Sequence, residues 1–151
     1  MTEQAKADAF LASWPYARFL GMEAMVEGGA LTSVLPFSPH LIGNPLIPAL
    51  HGGVVGGFLE LAALAELAAS APDGHAPRTV DITIDYLRPA RDSTTYARAE
   101  VIKRGRRVVN IQVTGWQERR ESPVATLRGH FVWNGPTMSP SGGQRPTPGQ
   151  G

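Results

Sequence analysis

The sequence predicts an α+β fold in which one long buried helix lies against an antiparallel sheet. Three observations carry this. Residues 53–70 are apolar nearly all round, from Val54 and Val55 through Phe58, Leu59 and Leu61 to Leu67 and Ala68, the pattern of a helix enclosed by other elements. Four later segments alternate with period two, the pattern of half-buried strands. Short polar turns separate the last three of these, so antiparallel hairpins connect them and a doubly wound parallel arrangement is excluded.

In chain order, residues 3–12 carry a weak helical pattern (Ala5, Ala9, Phe10, Ala12) that predicts a covering helix. Trp14-Pro15-Tyr16 ends it, because a residue before proline avoids helical dihedrals. Ala30 to Phe37 reads as a first strand. The long helix follows, roughly 27 Å at 1.5 Å per residue, and Ala71-Pro72-Asp73-Gly74 stops it. Strands are expected around Val80–Tyr86, Ala97–Val101, Val109–Val113 and Ala125–Trp133, with turns at Lys103–Arg107 and Glu118–Ser122. Residues 1–133 are read as one domain. From Asn134 onward glycine, proline and polar residues leave almost nothing to bury, and 134–151 are expected to be a disordered tail.

Composition excludes several classes. The 151 residues carry a formal net charge of +1 and are 42% hydrophobic, which gives no bulk electrostatic case for nucleic acid. The absence of cysteine removes thiolate nucleophiles, disulfides and most structural zinc sites, and no metal site is expected. Glu3 and Asp8 stand where a signal peptide needs a basic and then an apolar run, and no uninterrupted apolar stretch of membrane-spanning length is found. The expectation is a cytoplasmic protein without membrane or nucleic-acid partners.

The chemistry concentrates at His51-Gly52-Gly53, the mouth of the long helix, whose only acids are Glu60 and Glu66. Free N–H groups at a helix N-terminus stabilise a developing oxyanion, and glycines allow a ligand to approach the backbone closely. A carboxylate in apolar surroundings, its pKa raised, suits a nucleophile or general base. Seven positions from Gly53 to Glu60 are close to two turns, so the two share a face but lie about 10 Å apart along the axis. One helix therefore cannot bring both to the same ester or thioester carbon, whereas two copies related by a two-fold axis can, and the site is expected to be shared between chains. Glu66 faces elsewhere and is read as structural. His51, nine positions from Glu60, is read as bracing the turn into the helix in preference to transferring a proton. Gly56 and Gly57 cost helix propensity, which close packing by a neighbour or ligand would offset.

The run His51-Gly52-Gly53 with an acid nine residues after the histidine, the strand Val80-Asp81-Ile82-Thr83-Ile84-Asp85-Tyr86-Leu87-Arg88-Pro89-Ala90 and the hairpin Gly105-Arg106-Arg107 together resemble the PaaI-like acyl-CoA thioesterases of the hotdog fold. The likeness covers about residues 15–133. It implies a long central helix wrapped by a curved antiparallel sheet of five to six strands, and pairing of subunits into a homodimer and further into a homotetramer. The implied reaction is hydrolysis of an acyl-CoA thioester without metal or organic cofactor, coenzyme A being part of the substrate. The N–H of Gly52 or Gly53 would polarise the carbonyl, and Glu60 of the other subunit would activate water or attack directly.

Departures from the family pattern bear on the site. Its acid is commonly aspartate, and Glu60 reaches about one methylene further. Its asparagine stands six residues before the histidine; here Asn44 stands seven before, in the loop 43–48, and joins the catalytic candidates with Glu60, Gly52, Gly53 and His51. Arg88 follows Tyr86-Leu87 where a small hydroxyl residue is sometimes found. For substrate binding the candidates are Phe58 as pocket wall, with Leu59, Ala62 and Ala63 beside it, then Tyr86, Arg88, Arg104, Arg106 and Arg107. The arginines suit the phosphates of coenzyme A, since residues 78–107 hold eight Lys or Arg against four acids.

Two other readings stay open. The loop Pro39-His40-Leu41-Ile42-Gly43-Asn44-Pro45-Leu46-Ile47-Pro48 looks like that of hotdog acyl dehydratases, in which a histidine near the place of His40 works with a helical acid, and implies hydration of an enoyl-CoA. A non-catalytic acyl-CoA-binding protein on the same scaffold is the third.

Overall fold

The computed structural model describes residues 1–72 and 75–134. Helix α1 (Glu3–Ser13) is capped by Thr2, whose hydroxyl accepts from the Ala5 N–H at 3.1 Å. Its end comes where the Trp14-Pro15 step predicts, but Pro15 then opens a second helix, α2 (Pro15–Leu20), which the sequence reading missed. Proline at the first helical position loses nothing, because its missing N–H would have had no helical partner. Gly21, at φ 72, closes α2 in the left-handed conformation that glycine adopts without strain.

A strand β1 (Glu23–Glu27), also unforeseen, forms a hairpin with β2 (Ala30–Leu35) around Gly28 and Gly29, both at positive φ. The predicted strand 30–37 thus stops at Leu35. A short 3-10 turn at Pro39–Leu41 leads into β3 (Ile42–Asn44) and β4 (Ala49–Leu50), which pair with each other, and then into α3 (Gly52–Ser70). The last four strands are β5 (Ala76–Tyr86), β6 (Thr95–Arg104), β7 (Val108–Trp116) and β8 (Ala125–Asn134). Strand β8 runs one residue into the stretch read as a tail, with Asn134 opposite Ala76; residues 135–151, the rest of that expected tail, lie outside the described residues.

All pairings in the six-stranded sheet are antiparallel, in the order β1-β2-β6-β7-β8-β5. The two hairpins of the last three strands form as the turn signals predict. Strand β5 does not pair with β6, which follows it, but lies outside β8 as an edge strand, because residues 87–94 form a crossing and not a turn. This single choice fixes which ends of the sheet meet the helix mouth.

Helix α3 lies against the sheet, its Phe58, Leu59, Leu64 and Leu67 buried together with Ile111, Val113, Leu127 and Phe131 of β7 and β8. Its nineteen residues are long and apolar enough to cross a membrane by length and composition, although Glu60 and Glu66 interrupt the apolar run. Its burial in the protein core accounts for that composition. The architecture is the α+β hotdog arrangement anticipated from the sequence.

Candidate active site

Strand β4 delivers the chain to the mouth of α3, where His51 is the N-cap. Its Nδ1 accepts a 2.9 Å hydrogen bond from the Gly53 N–H, so the imidazole has its lone pair on Nδ1 and braces the helix start, the role favoured from sequence. The His51 carbonyl accepts from Val54 and Val55. Two of the three glycine and histidine N–H groups are thereby used, Gly53 by the imidazole and His51 by Leu41 O at 2.9 Å. The N–H of exposed Gly52 donates to no acceptor among the described residues. An added Cβ at Gly52 would meet only ordinary contacts with Tyr86, so the space before this N–H is open. At Gly43, by contrast, a Cβ would lie 2.7 Å from the His51 Cα, so glycine is what lets β3 pass under the cap.

Two tyrosines close over the first turns of α3. Tyr86, at the end of β5, donates to the Gly52 carbonyl at 2.8 Å, and Tyr16 of α2 reaches the Gly53 carbonyl at 3.4 Å. Burial raises the Tyr16 phenol above its ordinary pKa. The glycines beneath explain themselves: a Cβ at Gly56 would stand 2.9 Å from the Tyr86 hydroxyl and 2.8 Å from Ile84 Cδ1, and one at Gly57 would stand 2.5 Å from the Tyr16 ring. The compensation expected for Gly56 and Gly57 is therefore packing by these side chains.

From Gly52 to Glu60 the residues that keep access to solvent are Gly52, Gly53, Gly57 and Glu60. Positions 53, 57 and 60 share one helix face, and the Tyr16 ring lies over Gly57 between the mouth and the acid. Glu60 is half-buried, and desolvation raises its pKa. Glu66, on another face, is also raised, first by burial and then by Glu3, with Arg98 and Arg104 opposing.

Several sequence candidates do not join this cluster. Phe58 is 0% exposed and belongs to the protomer core, as do Leu59, Ala62 and Ala63, so none of them lines an opening. Asn44 is engaged locally, its Oδ1 accepting from the Leu46 N–H at 3.0 Å in a tight turn. Arg104, Arg106 and Arg107 lie at the other end of the sheet. The β6–β7 turn is level with Val132 and Arg78, and Arg78 is eight residues before Tyr86, about 26 Å along β5. Arg104 moreover sits over the Trp133 ring at 4.6 Å. Arg88 alone of the candidate arginines is at the mouth, lining a groove with Gly52, Val55 and Tyr86.

His40 is fixed elsewhere. Its Nε2 donates to the Phe19 carbonyl at 2.8 Å and its Nδ1 accepts from the Ser38 hydroxyl at 2.7 Å, which leaves neither nitrogen for the dehydratase role. Tyr16, by contrast, was not singled out from sequence, because its placement over Gly57 depends on the unforeseen helix α2. Among the described residues no three His, Asp or Glu side chains gather to hold a metal ion.

Comparison with known proteins identifies the family and the fold. The family model of the thioesterase superfamily matches residues 48–124, from the strand before the mouth to the start of the last strand. The medium/long-chain acyl-CoA thioesterase YigI of Escherichia coli is 28% identical over 120 residues, covering 70% of this chain and 77% of that protein. A crystal structure from Chromobacterium violaceum is 37% identical, covers 85% of this chain and 88% of its own, and superposes with a TM-score of 0.69. A phenylacetic acid degradation-related protein from Ralstonia eutropha JMP134 is 25% identical over 84% of this chain and 98% of its own, with a TM-score of 0.71. The chain belongs to the thioesterase superfamily, and is a thioester-hydrolysing enzyme with a PaaI-like hotdog fold.

Proposed function

We propose that the substrate is an acyl-CoA and that hydrolysis takes place between two copies of the chain, at the Gly52 N–H of one and Glu60 of the partner subunit. The observation that carries this reading is the pairing, on one helix, of an N–H at the mouth without an acceptor among the described residues and a desolvated carboxylate two turns on. Eight residues of helix separate them by about 12 Å, too far for one carbonyl, and an antiparallel second helix closes that gap. The similarity to an acyl-CoA thioesterase supports the substrate class.

Self-association has its own support in β5, an edge strand of 11 residues whose outer backbone groups have no partner in the sheet. Val80 on it is 58% exposed, and an unpaired strand edge is a template for pairing with another chain. A homodimer supplies the two sites, and dimers pair further into the homotetramer that the family resemblance implies.

In the reaction, the thioester oxygen faces the Gly52 N–H, which stabilises the tetrahedral oxyanion as the carbonyl is attacked. Acting as base, Glu60 takes a proton from the attacking water. Collapse breaks the C–S bond, and the thiolate of coenzyme A receives that proton. Acting instead as nucleophile, Glu60 attacks the carbonyl, the C–S bond breaks and coenzyme A leaves as the thiolate; water then cleaves the mixed anhydride, restoring the carboxylate and supplying the proton that the thiolate takes up. Neither course draws on a metal or organic cofactor. Thiol release from a panel of acyl-CoAs tests the assignment: wild type is active, Glu60→Gln loses at least about 100-fold, and equal activity of the two removes Glu60 from the mechanism.

A further inference from the structure

The mouth of α3 opens onto a continuous surface channel that changes character along its length. A groove of ≈ 450 Å³ begins between Gly52 and Val55 and is walled by Leu50, Leu87 and Val124. A second, of ≈ 470 Å³, shares Arg88, Pro89 and Val124 with the first and continues past Arg91 and Ser93 to Arg119. The first stretch is mainly apolar; the second carries three arginines, with Glu118 as the one acid in its lining. None of these three guanidinium groups meets a carboxylate or another hydrogen-bond acceptor among the described residues, although Arg120 next to them is stacked on Trp116 at 5.5 Å.

The frame that carries the arginines is held by backbone. The N–H groups of Leu87 and Arg88 both donate to Val124 O, at 2.9 and 3.2 Å, and Leu50 N–H donates to Ala90 O at 2.8 Å. Gln117 clamps Arg91 at both ends of its main chain, accepting from its N–H and donating to its carbonyl, each at 2.9 Å. The guanidinium of Arg91 is thus free to bind while its backbone is fixed, which lowers the cost of ordering it around a ligand.

We infer that Arg88, Arg91 and Arg119 form a phosphate-binding track for the coenzyme A part of the substrate, leading away from the Gly52 mouth along the β7–β8 loop. The inference rests on the acyl-CoA reading above. The order of surfaces matches the order of groups in such a molecule: the thioester at the N–H, the uncharged pantetheine arm over Leu50, Val55 and Leu87, then the pyrophosphate and 3′-phosphate among the arginines. Guanidinium groups suit phosphates because their paired donors match two phosphate oxygens at once. The Gly105-Arg106-Arg107 hairpin, about 26 Å away in the same protomer, reaches this mouth only if a partner subunit brings it there.

Calorimetric titration of the full-length protein with free coenzyme A tests the track. Arg91→Ala/Arg119→Ala, which leaves every backbone bond of the frame in place, is expected to weaken coenzyme A binding at least tenfold and to flatten its dependence on salt. Arg106→Ala/Arg107→Ala is expected to bind within about twofold of wild type. Unchanged binding by the first variant, or loss confined to the second, overturns the track, as does a wild type that does not bind coenzyme A. Acyl-CoA hydrolysis is read in parallel: tight binding of coenzyme A by a wild type that cleaves no thioester ends the hydrolytic reading and leaves the track standing.

Discussion

The Tyr86 hydroxyl donates to the Gly52 carbonyl at 2.8 Å while the His51 imidazole accepts from the Gly53 N–H at 2.9 Å, so the peptide group joining the two glycines is gripped at both ends. That peptide directly follows the N–H proposed to hold the oxyanion. Two side chains from different elements thereby set its direction before any substrate arrives, and preorganisation of this kind is what makes such a donor effective.

Tyr86→Phe removes one of the two grips. The expected loss is about 1 kcal/mol, or about fivefold in kcat/KM for an acyl thioester. Gly56→Ala should produce the same defect by a different route, since its Cβ would displace the hydroxyl 2.9 Å away. The double variant should then be no worse than Gly56→Ala alone. Additive losses in steady-state kinetics would show that the two residues act separately.

His51 separates capping from proton transfer. Asparagine is a good N-cap, so His51→Asn should keep its melting temperature and activity close to wild type, whereas His51→Ala should lose about 1 kcal/mol of stability. A loss of roughly 100-fold or more in both variants would give the imidazole a proton to carry.

In the proposed mechanism Glu60 acts as the carboxylate, and burial raises its pKa above the ordinary 4.5. Activity should therefore rise with pH through a limb displaced upward from that of an exposed glutamate, and fall away below it. A pH profile of kcat/KM with its acid limb at or below the ordinary value would contradict the assignment.

Glu66 offers a stability counterpart. Burial and Glu3 raise its folded pKa, so the fold binds the proton more tightly than the unfolded chain does. The stability linked to that proton is fully present below the unfolded pKa and is lost as pH rises through the raised folded value. Glu66→Gln escapes the loss: its melting temperature should exceed that of wild type at about pH 7, and the gain should shrink toward about pH 4 as Glu66 protonates in both states. A variant less stable than wild type at neutral pH would mean that Arg98 and Arg104 outweigh burial.

The long helix, the three hairpin-linked strands and the capping histidine were legible in the sequence because each depends on local pattern. Apolar residues all round mark α3, period two marks β6 to β8, and a histidine with paired glycines marks a helix start. Helix α2 and β1 were missed because six and five residues give too little period to read. Gly56 and Gly57 could be recognised as places of close approach, but not that Tyr86 and Tyr16 are what approaches them.

Chain order left undetermined where β5 would dock. Tertiary packing puts it outside β8, bringing Tyr86, Leu87 and Arg88 to the helix mouth and sending Arg104, Arg106 and Arg107 to the far end. The physical reason is that local periodicity selects which face of a strand is buried, whereas the neighbour a strand chooses depends on contacts between residues far apart in sequence. The basic hairpin therefore looked close to the site by sequence, and the arginines of the 88–91 crossing and the β7–β8 loop proved closer in space.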